Sequence, residues 1–210
     1  MLTNKIPRHT QDVLAAIGDT LPPGSYLAGG TALALHLDHR KSFDLDFYSP
    51  QKFESEIQLE RIVEVITDFK LISTSWQTLI GSTQETEISL FFYKYPLIGE
   101  LSQHEGTKIA SIADIACMKL EAVGGRGLKR DFFDLYTICQ LADWNLQKVI
   151  DLNRKKYGRD ESDIPHILKS LVYFDDAENL PERAEIVEAD WKKIKSYFVQ
   201  ETKGLISTLL

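Results

Sequence analysis

The feature that most constrains this chain is the stretch LAGGTALALHLDHRKSFDLDFYS, from Leu27 to Ser49. A short strand, Ser25 to Ala28, runs into Gly29-Gly30, and a short helix, Thr31 to Leu37, opens directly after the glycines. A loop follows at His39 to Ser42, then Phe43 to Tyr48 alternates as a strand. Strand, glycine turn and helix together form a phosphate-binding geometry. Glycine lets backbone approach a phosphate, and a helix N-terminus offers unpaired N–H groups and partial positive charge. Thr31 adds a hydroxyl. Asp44 and Asp46 stand two apart on the predicted strand, so their side chains share a face, with Cα atoms roughly 6.5 Å apart. Two converging carboxylates suit hard Mg²⁺, which takes oxygen ligands and shares the rest of its shell with water and phosphate. Such a pair can hold two metals. Phe43, Leu45 and Phe47 make the opposite face apolar, which puts the strand inside a sheet. Taken singly, the glycines read as a packed turn and the aspartates as a solvated strand face.

Around this stretch the pattern changes once along the chain. Thr10 to Asp19 reads as a helix capped by Thr10 and stopped by Pro22, Pro23 and Gly24. Lys52 to Thr67 reads as an amphipathic helix burying Ile57, Ile62, Val65 and Ile66. Lys70 to Ile80 and Thr86 to Tyr93 read as a hairpin, with Gly81-Ser82 near its turn. A loop over Pro96 to Gly106 leads to an extended piece at Lys108 to Ala110. From Ile112 onward only helical periodicity remains: Ile112 to Val123, an interruption at Gly124, Gly125 and Gly127, then Asp131 to Ala142, Leu146 to Tyr157, Ile164 to Tyr173 and Ala189 to Val199. The expected architecture is α+β, a small mixed sheet with helices over residues 1–107 followed by a helical part over 108–210.

Composition removes several classes of function. The net charge of −7 argues against broad, sequence-independent binding along a nucleic-acid backbone. It leaves room for a small basic pocket. No window approaches the apolar length of a membrane helix, and the N-terminal MLTNKIPRHTQDV lacks the apolar run of a signal peptide. Cys117 and Cys139 form no CxxC pair, in keeping with a reduced, cytoplasmic setting. His36 and His39 flank Asp38 at a helix end without zinc-like spacing, and read as surface residues. Cys117, Trp76, Trp144 and Trp191 read as packing residues, and Tyr173-Phe174 as a pin for the C-terminal helices.

A glycine turn, a short helix and then Asp-Leu-Asp on a strand resembles the signature of polymerase-beta-like nucleotidyltransferases. The fuller string GGTALALHLDHRKSFDLDFYS, with its Arg40, Ser42, Asp44 and Asp46 spacing, resembles the AbiEii/AbiGii-type nucleotidyltransferases, toxins of bacterial type IV toxin–antitoxin and abortive-infection systems. Residues 118–136, MKLEAVGGRGLKRDFFDLY, support the resemblance. Lys119, Arg126, Asp131 and Asp134 stand where the family has Lys, Arg and an Asp-x-x-Asp pair. KYPLIGE after the hairpin and KKYG…ILKSLVYFDDAENLPE…WKKIKSYF near the end extend it over nearly the whole chain. The resemblance implies a polymerase-beta-like nucleotidyltransferase core. It also implies transfer of NMP from an NTP to an acceptor hydroxyl, an RNA 3′ end or a protein, using Mg²⁺ or Mn²⁺, and a cognate antitoxin as partner. Gly29, Gly30, Thr31, Arg40, Ser42 and Arg126 would bind the nucleotide, and Asp44 and Asp46 the metal. Lys119 and Arg126 lie seven apart, two turns if the helix continues, and would both reach the triphosphate. Asp131 and Asp134 share a helix face and would orient the lysine or act as a base.

One position departs from the pattern. Polymerase-beta-like enzymes usually add a third carboxylate from a neighbouring strand, and aligned on YPLI that position is Ser89. Glu87, two residues earlier on the same face, is the candidate substitute metal ligand, and the third wall of the site stays open between Glu87, Ser89 and none. The departure keeps open a nucleotide-binding protein without turnover, acting as a sensor or interaction module. An aminoglycoside-type nucleotidyltransferase is a third reading, since an acidic surface suits a cationic drug.

Overall fold

A computed structural model describes residues 5–179 and 186–209. The LPE of the C-terminal motif, at 180–182, lies outside them. The chain divides after Ser111 into two units.

The first unit carries a seven-stranded mixed sheet in the order β3-β4-β5-β2-β1-β7-β6. Its strands are β1 (Tyr26–Ala28), β2 (Leu45–Ser49), β3 (Lys70–Ser75), β4 (Thr78–Thr83), β5 (Thr86–Phe92), β6 (Ser102–His104) and β7 (Thr107–Ile109), and its helices α1 (Arg8–Ile17), α2 (Gly29–Leu37) and α3 (Ser55–Val65). β7 pairs parallel to β1 and so extends this unit past residue 107. The central strand β2 runs antiparallel to β1 and parallel to β5. Its pattern explains its place: Leu45, Phe47 and Ser49 are fully buried, while Asp46 and Tyr48 are half-exposed on the other face. Burying Leu45 and Phe47 contributes about 1.5–3 kcal/mol each. Helix α2 packs on β1 and β2, and α3 on β4 and α1.

Several local expectations are corrected here. Thr10 does not cap α1, whose N-cap is Pro7; its buried hydroxyl instead bonds to that of Thr86 at 2.8 Å, joining α1 to β5. The segment expected as one hairpin is a three-stranded meander, with turns at Trp76-Gln77 and Gln84-Glu85. Both turns use a glutamine at positive φ. Gly81 lies inside β4, where a Cβ would meet the Phe69 ring at 2.0 Å; the glycine makes room for that ring. Helix α3 buries Gln58 and Ile62, while Ile57 and Val65 are exposed. Trp76 is 72% exposed and is no core residue. Asp44 stands one residue before β2 rather than within it.

The second unit comprises α4 (Ile112–Gly125), α5 (Lys129–Leu141), α6 (Leu146–Tyr157), α7 (Ile164–Ser170), α8 (Asp175–Asn179) and α9 (Glu188–Leu209). Helix α6 has clear stops: the Asn145 side chain accepts from Lys148 N–H, and Gly158 ends the helix in the left-handed conformation. The core centres on Phe132, whose ring lies 5.2 Å from Phe174, 5.8 Å from Trp191 and 5.2 Å from Phe198. Phe174 and Trp191 thus pack as expected, whereas Tyr173 is exposed. A fully buried ion pair, Lys156 Nζ to Asp114 Oδ1 at 2.6 Å, joins α6 to α4. Burial pushes the Cys117 thiol up to about 12 and the Cys139 thiol to about 11, so both are inert packing residues. Among the described residues no helix is long and apolar enough to cross a membrane.

Candidate functional site

Gly29 opens α2 with φ +68, and a Cβ there would fall 2.4 Å from Asp46 Oδ2. The turn therefore lies directly against the carboxylate, and Ala28 is paired to Asp46 across β1 and β2. At Gly30 a Cβ would meet an Arg40 guanidinium nitrogen at 2.4 Å and Ser42 Oγ at 3.1 Å. Both glycines are needed for close approach, one to the carboxylate and one to the cation. Thr31 is buried, its hydroxyl donating to the Asp44 backbone carbonyl and standing 2.8 Å from Ser42 Oγ. That hydroxyl fastens the loop carrying Ser42 and Asp44 onto α2. Arg40 also donates to the Lys41 carbonyl at 2.9 Å. The two halves of the Leu27–Ser49 stretch are thus one structure: Gly29, Gly30, Thr31, Arg40, Ser42, Asp44 and Asp46 come together at the start of α2.

The neighbouring strand settles which residue faces Asp46. In the parallel β2–β5 register Asp46 is opposite Ser89, which is 5% exposed. Glu87 lies two residues earlier on β5, half-exposed and on the same face. Among the described residues no group of three or more His, Cys, Asp or Glu side chains is placed to hold a metal ion. Asp44 and Asp46 carry carboxylates and Ser89 a hydroxyl, all oxygen donors of the chemical type a hard divalent cation takes when water and phosphate complete its shell.

The same face carries aromatic rings that the sequence reading passed over. Tyr48, two residues after Asp46, lies 6.1 Å from Tyr26, 5.6 Å from Phe91 and 5.1 Å from Tyr93, and Tyr93 lies 5.3 Å from Tyr95. The available signal was Tyr48 at i+2 from Asp46.

In the second unit Lys119, Arg126, Asp131 and Asp134 form one network. Lys119 Nζ lies 2.9 Å from Asp131 Oδ1 and 2.7 Å from Asp134 Oδ2, with all three side chains buried. Arg126 grips Asp131 with two bonds, Nε to Oδ2 at 2.9 Å and a terminal nitrogen to Oδ1 at 3.2 Å. The helix does not continue to Arg126: α4 ends at Gly125, and the N–H groups of Arg126 and Gly127 both bond to the Ala122 carbonyl. Gly127 takes φ +52, which turns the chain back so that Arg126 meets Asp131 in the first turn of α5. Burial alone would raise the Asp131 pKa, but the Lys119 charge and the Arg126 bonds outweigh it and hold the carboxyl below its ordinary 3.8. Asp131 is therefore a fixed anion that positions two cations and a poor proton acceptor near neutrality. Arg126, with 55% of its side chain exposed, is the open end of the network.

A model of the family described as "Nucleotidyl transferase AbiEii toxin, Type IV TA system" matches residues 95–204, a span containing the Lys119–Asp134 network. An uncharacterized Aquifex aeolicus protein, aq_aa25, is 37% identical over 181 residues, covering 85% of this chain and 86% of that one. The structure of a proposed nucleotidyltransferase from H. pylori superposes with TM-score 0.54 at 19% identity, covering 95% of this chain and 96% of that one. The antibiotic-resistance factor ANT(2'')-Ia gives TM-score 0.53 at 17% identity over 74% of this chain and 92% of its own. The fold is the α+β polymerase-beta-like nucleotidyltransferase fold.

Proposed function

This chain belongs to the AbiEii nucleotidyl transferase family, and from that premise we propose that it moves NMP from an NTP to an acceptor hydroxyl, on an RNA 3′ end or a protein, with a divalent metal held by Asp44 and Asp46. The observation carrying this reading is the contact of the glycine turn with Asp46, where even a methyl group at Gly29 would strike the carboxylate. It supports a single site in which the glycine turn binds phosphate and Asp46 binds the metal. The N–H groups at the start of α2 receive the phosphates, and the Arg40 guanidinium beside Gly30 adds positive charge. Thr31 and Ser42 hold the Asp44 loop in place. Mg²⁺ or Mn²⁺ bound there supplies charge neutralisation at the reacting phosphate. In the second unit, Arg126, the exposed end of its network, is the proposed countercharge for the triphosphate, with Asp131 and the buried Lys119–Asp134 pair behind it as its positioning groups.

The test is incubation of the purified chain with α-labelled NTPs, Mg²⁺ and either total RNA or cell protein. Label should pass to one class of acceptor, and EDTA should stop the transfer. Failure to label any acceptor with any of the four NTPs would overturn the transferase reading. The toxin role is part of the proposal: induced expression should arrest growth, and co-expression of a cognate antitoxin should restore it.

Ser89 opposite Asp46 favours a second reading, a nucleotide binder with little turnover. Two variants address it. Ser89→Asp should lower the Mg²⁺ concentration needed for half-maximal transfer several-fold, because it puts a third carboxylate beside Asp46. Glu87→Ala should raise that concentration if Glu87 is the third ligand. An unchanged Mg²⁺ dependence in Glu87→Ala would remove Glu87 from the site.

A further inference from the structure

We propose that the helical unit holds a ligand site of its own, a cavity between α6, α7 and α9 that takes a small amphipathic anion. The cavity measures about 600 Å³, within the range of small-molecule sites. Its walls include Ile164 and Leu168 of α7 and Ile206 of α9, and its polar lining includes Arg154 of α6, Thr202 of α9 and Lys169 of α7. Two of these polar groups are buried without a hydrogen-bond partner among the described residues, Arg154 Nε and Thr202 Oγ1. Thr202 is 3% exposed.

The Thr202 hydroxyl is out of step with its own helix. Ser196 and Ser207, also on α9, donate to the carbonyls four residues back, at 2.9 and 3.0 Å. That local partner is the ordinary resort of a helical hydroxyl, and Thr202 does not use it. A hydroxyl and a guanidinium nitrogen left unpaired in the same cavity wall are what a ligand with an acceptor head would satisfy. Arg154 and Lys169 outnumber the one acid of the lining, Glu161, so the head that fits is anionic. The apolar walls of α7 and α9 fit an aliphatic body.

Isothermal titration of the full chain with decanoate, below its micelle concentration, tests this against two partial ligands: decanol, which has the body alone, and acetate, which has the head alone. Decanoate should bind saturably at one site, at least ten-fold tighter than decanol, with acetate undetectable. Arg154→Met, which keeps the aliphatic stem, should bring decanoate down to the level of decanol. Thr202→Val should weaken decanoate several-fold and leave decanol unchanged. Leu168→Trp should fill the cavity and abolish both. Should that variant fail to fold, Ile206→Trp at the half-exposed rim serves the same purpose. The proposal is overturned if decanoate shows no saturable binding, if decanol binds equally well, or if a folded cavity-filling variant binds as the wild type does.

Discussion

Asp46→Asn is expected to reduce nucleotidyl transfer by about a thousand-fold while leaving the fold intact. Asparagine keeps the volume of a half-buried side chain wedged against Gly29, so packing is preserved. What disappears is the charge that lets an oxygen donor hold a hard cation. A metal at a reacting phosphate is worth several kcal/mol, and about 4 kcal/mol corresponds to that thousand-fold loss. The melting temperature should stay close to that of the wild type, because the side-chain volume is kept. Gly29→Ala provides the contrast. Its Cβ meets Asp46 Oδ2 at 2.4 Å and its φ is +68, so transfer and stability should fall together, stability by about 1–3 kcal/mol. Single-turnover transfer of labelled NMP and thermal denaturation, run on both variants, separate the two effects. Transfer by Asp46→Asn within ten-fold of wild type would exclude Asp46 as a metal ligand.

The parts of the site readable from sequence are those whose signal is local. Gly29-Gly30 before a helix, and Asp44 and Asp46 at spacing two, each express a backbone period. Lys119 with Asp131 and Asp134 was legible as a motif, though not as a closed network. The rest depends on pairing over long separations or on conformations without a residue signature. Ser89 faces Asp46 only through the parallel β2–β5 register, which no window of sequence contains. Gly127 in the left-handed region decides that Arg126 turns back to Asp131 instead of riding a continued helix. The meander turns use Gln77 and Gln84 at positive φ, where glycine or asparagine would have announced them. Gly81 drew attention as a turn because its real reason, the Phe69 ring, comes from a residue outside the strand. Thr10 had the chemistry of a cap, but Thr86 offered its hydroxyl a buried partner.

Lys119→Met should destabilise the helical unit at neutral pH by about 3–5 kcal/mol, the usual consequence of removing one partner from a buried ion pair. Methionine fills much the same space, so the loss is electrostatic. It leaves Asp131, which keeps Arg126, and Asp134, both with fully buried side chains, without the lysine that joins them. The dependence on pH identifies the cause. In the wild type Asp131 titrates below its ordinary 3.8. Its contribution is therefore complete above that value and is lost as the pH falls through the lower folded pKa. In the variant the burial of Asp131 is opposed by Arg126 without Lys119, so its carboxyl pKa rises above its wild-type position. The folded variant then takes up its proton at higher pH than the wild type does, so the gap between the two proteins should narrow as the pH falls. Adding Asp134→Asn to Lys119→Met should recover part of the stability, because one buried charge is removed, without recovering transfer. Urea denaturation across this range reads the result. A variant as stable as the wild type at pH 7, or a deficit that does not shrink on acidification, would mean that Lys119 is not what holds the two carboxylates in the helical core.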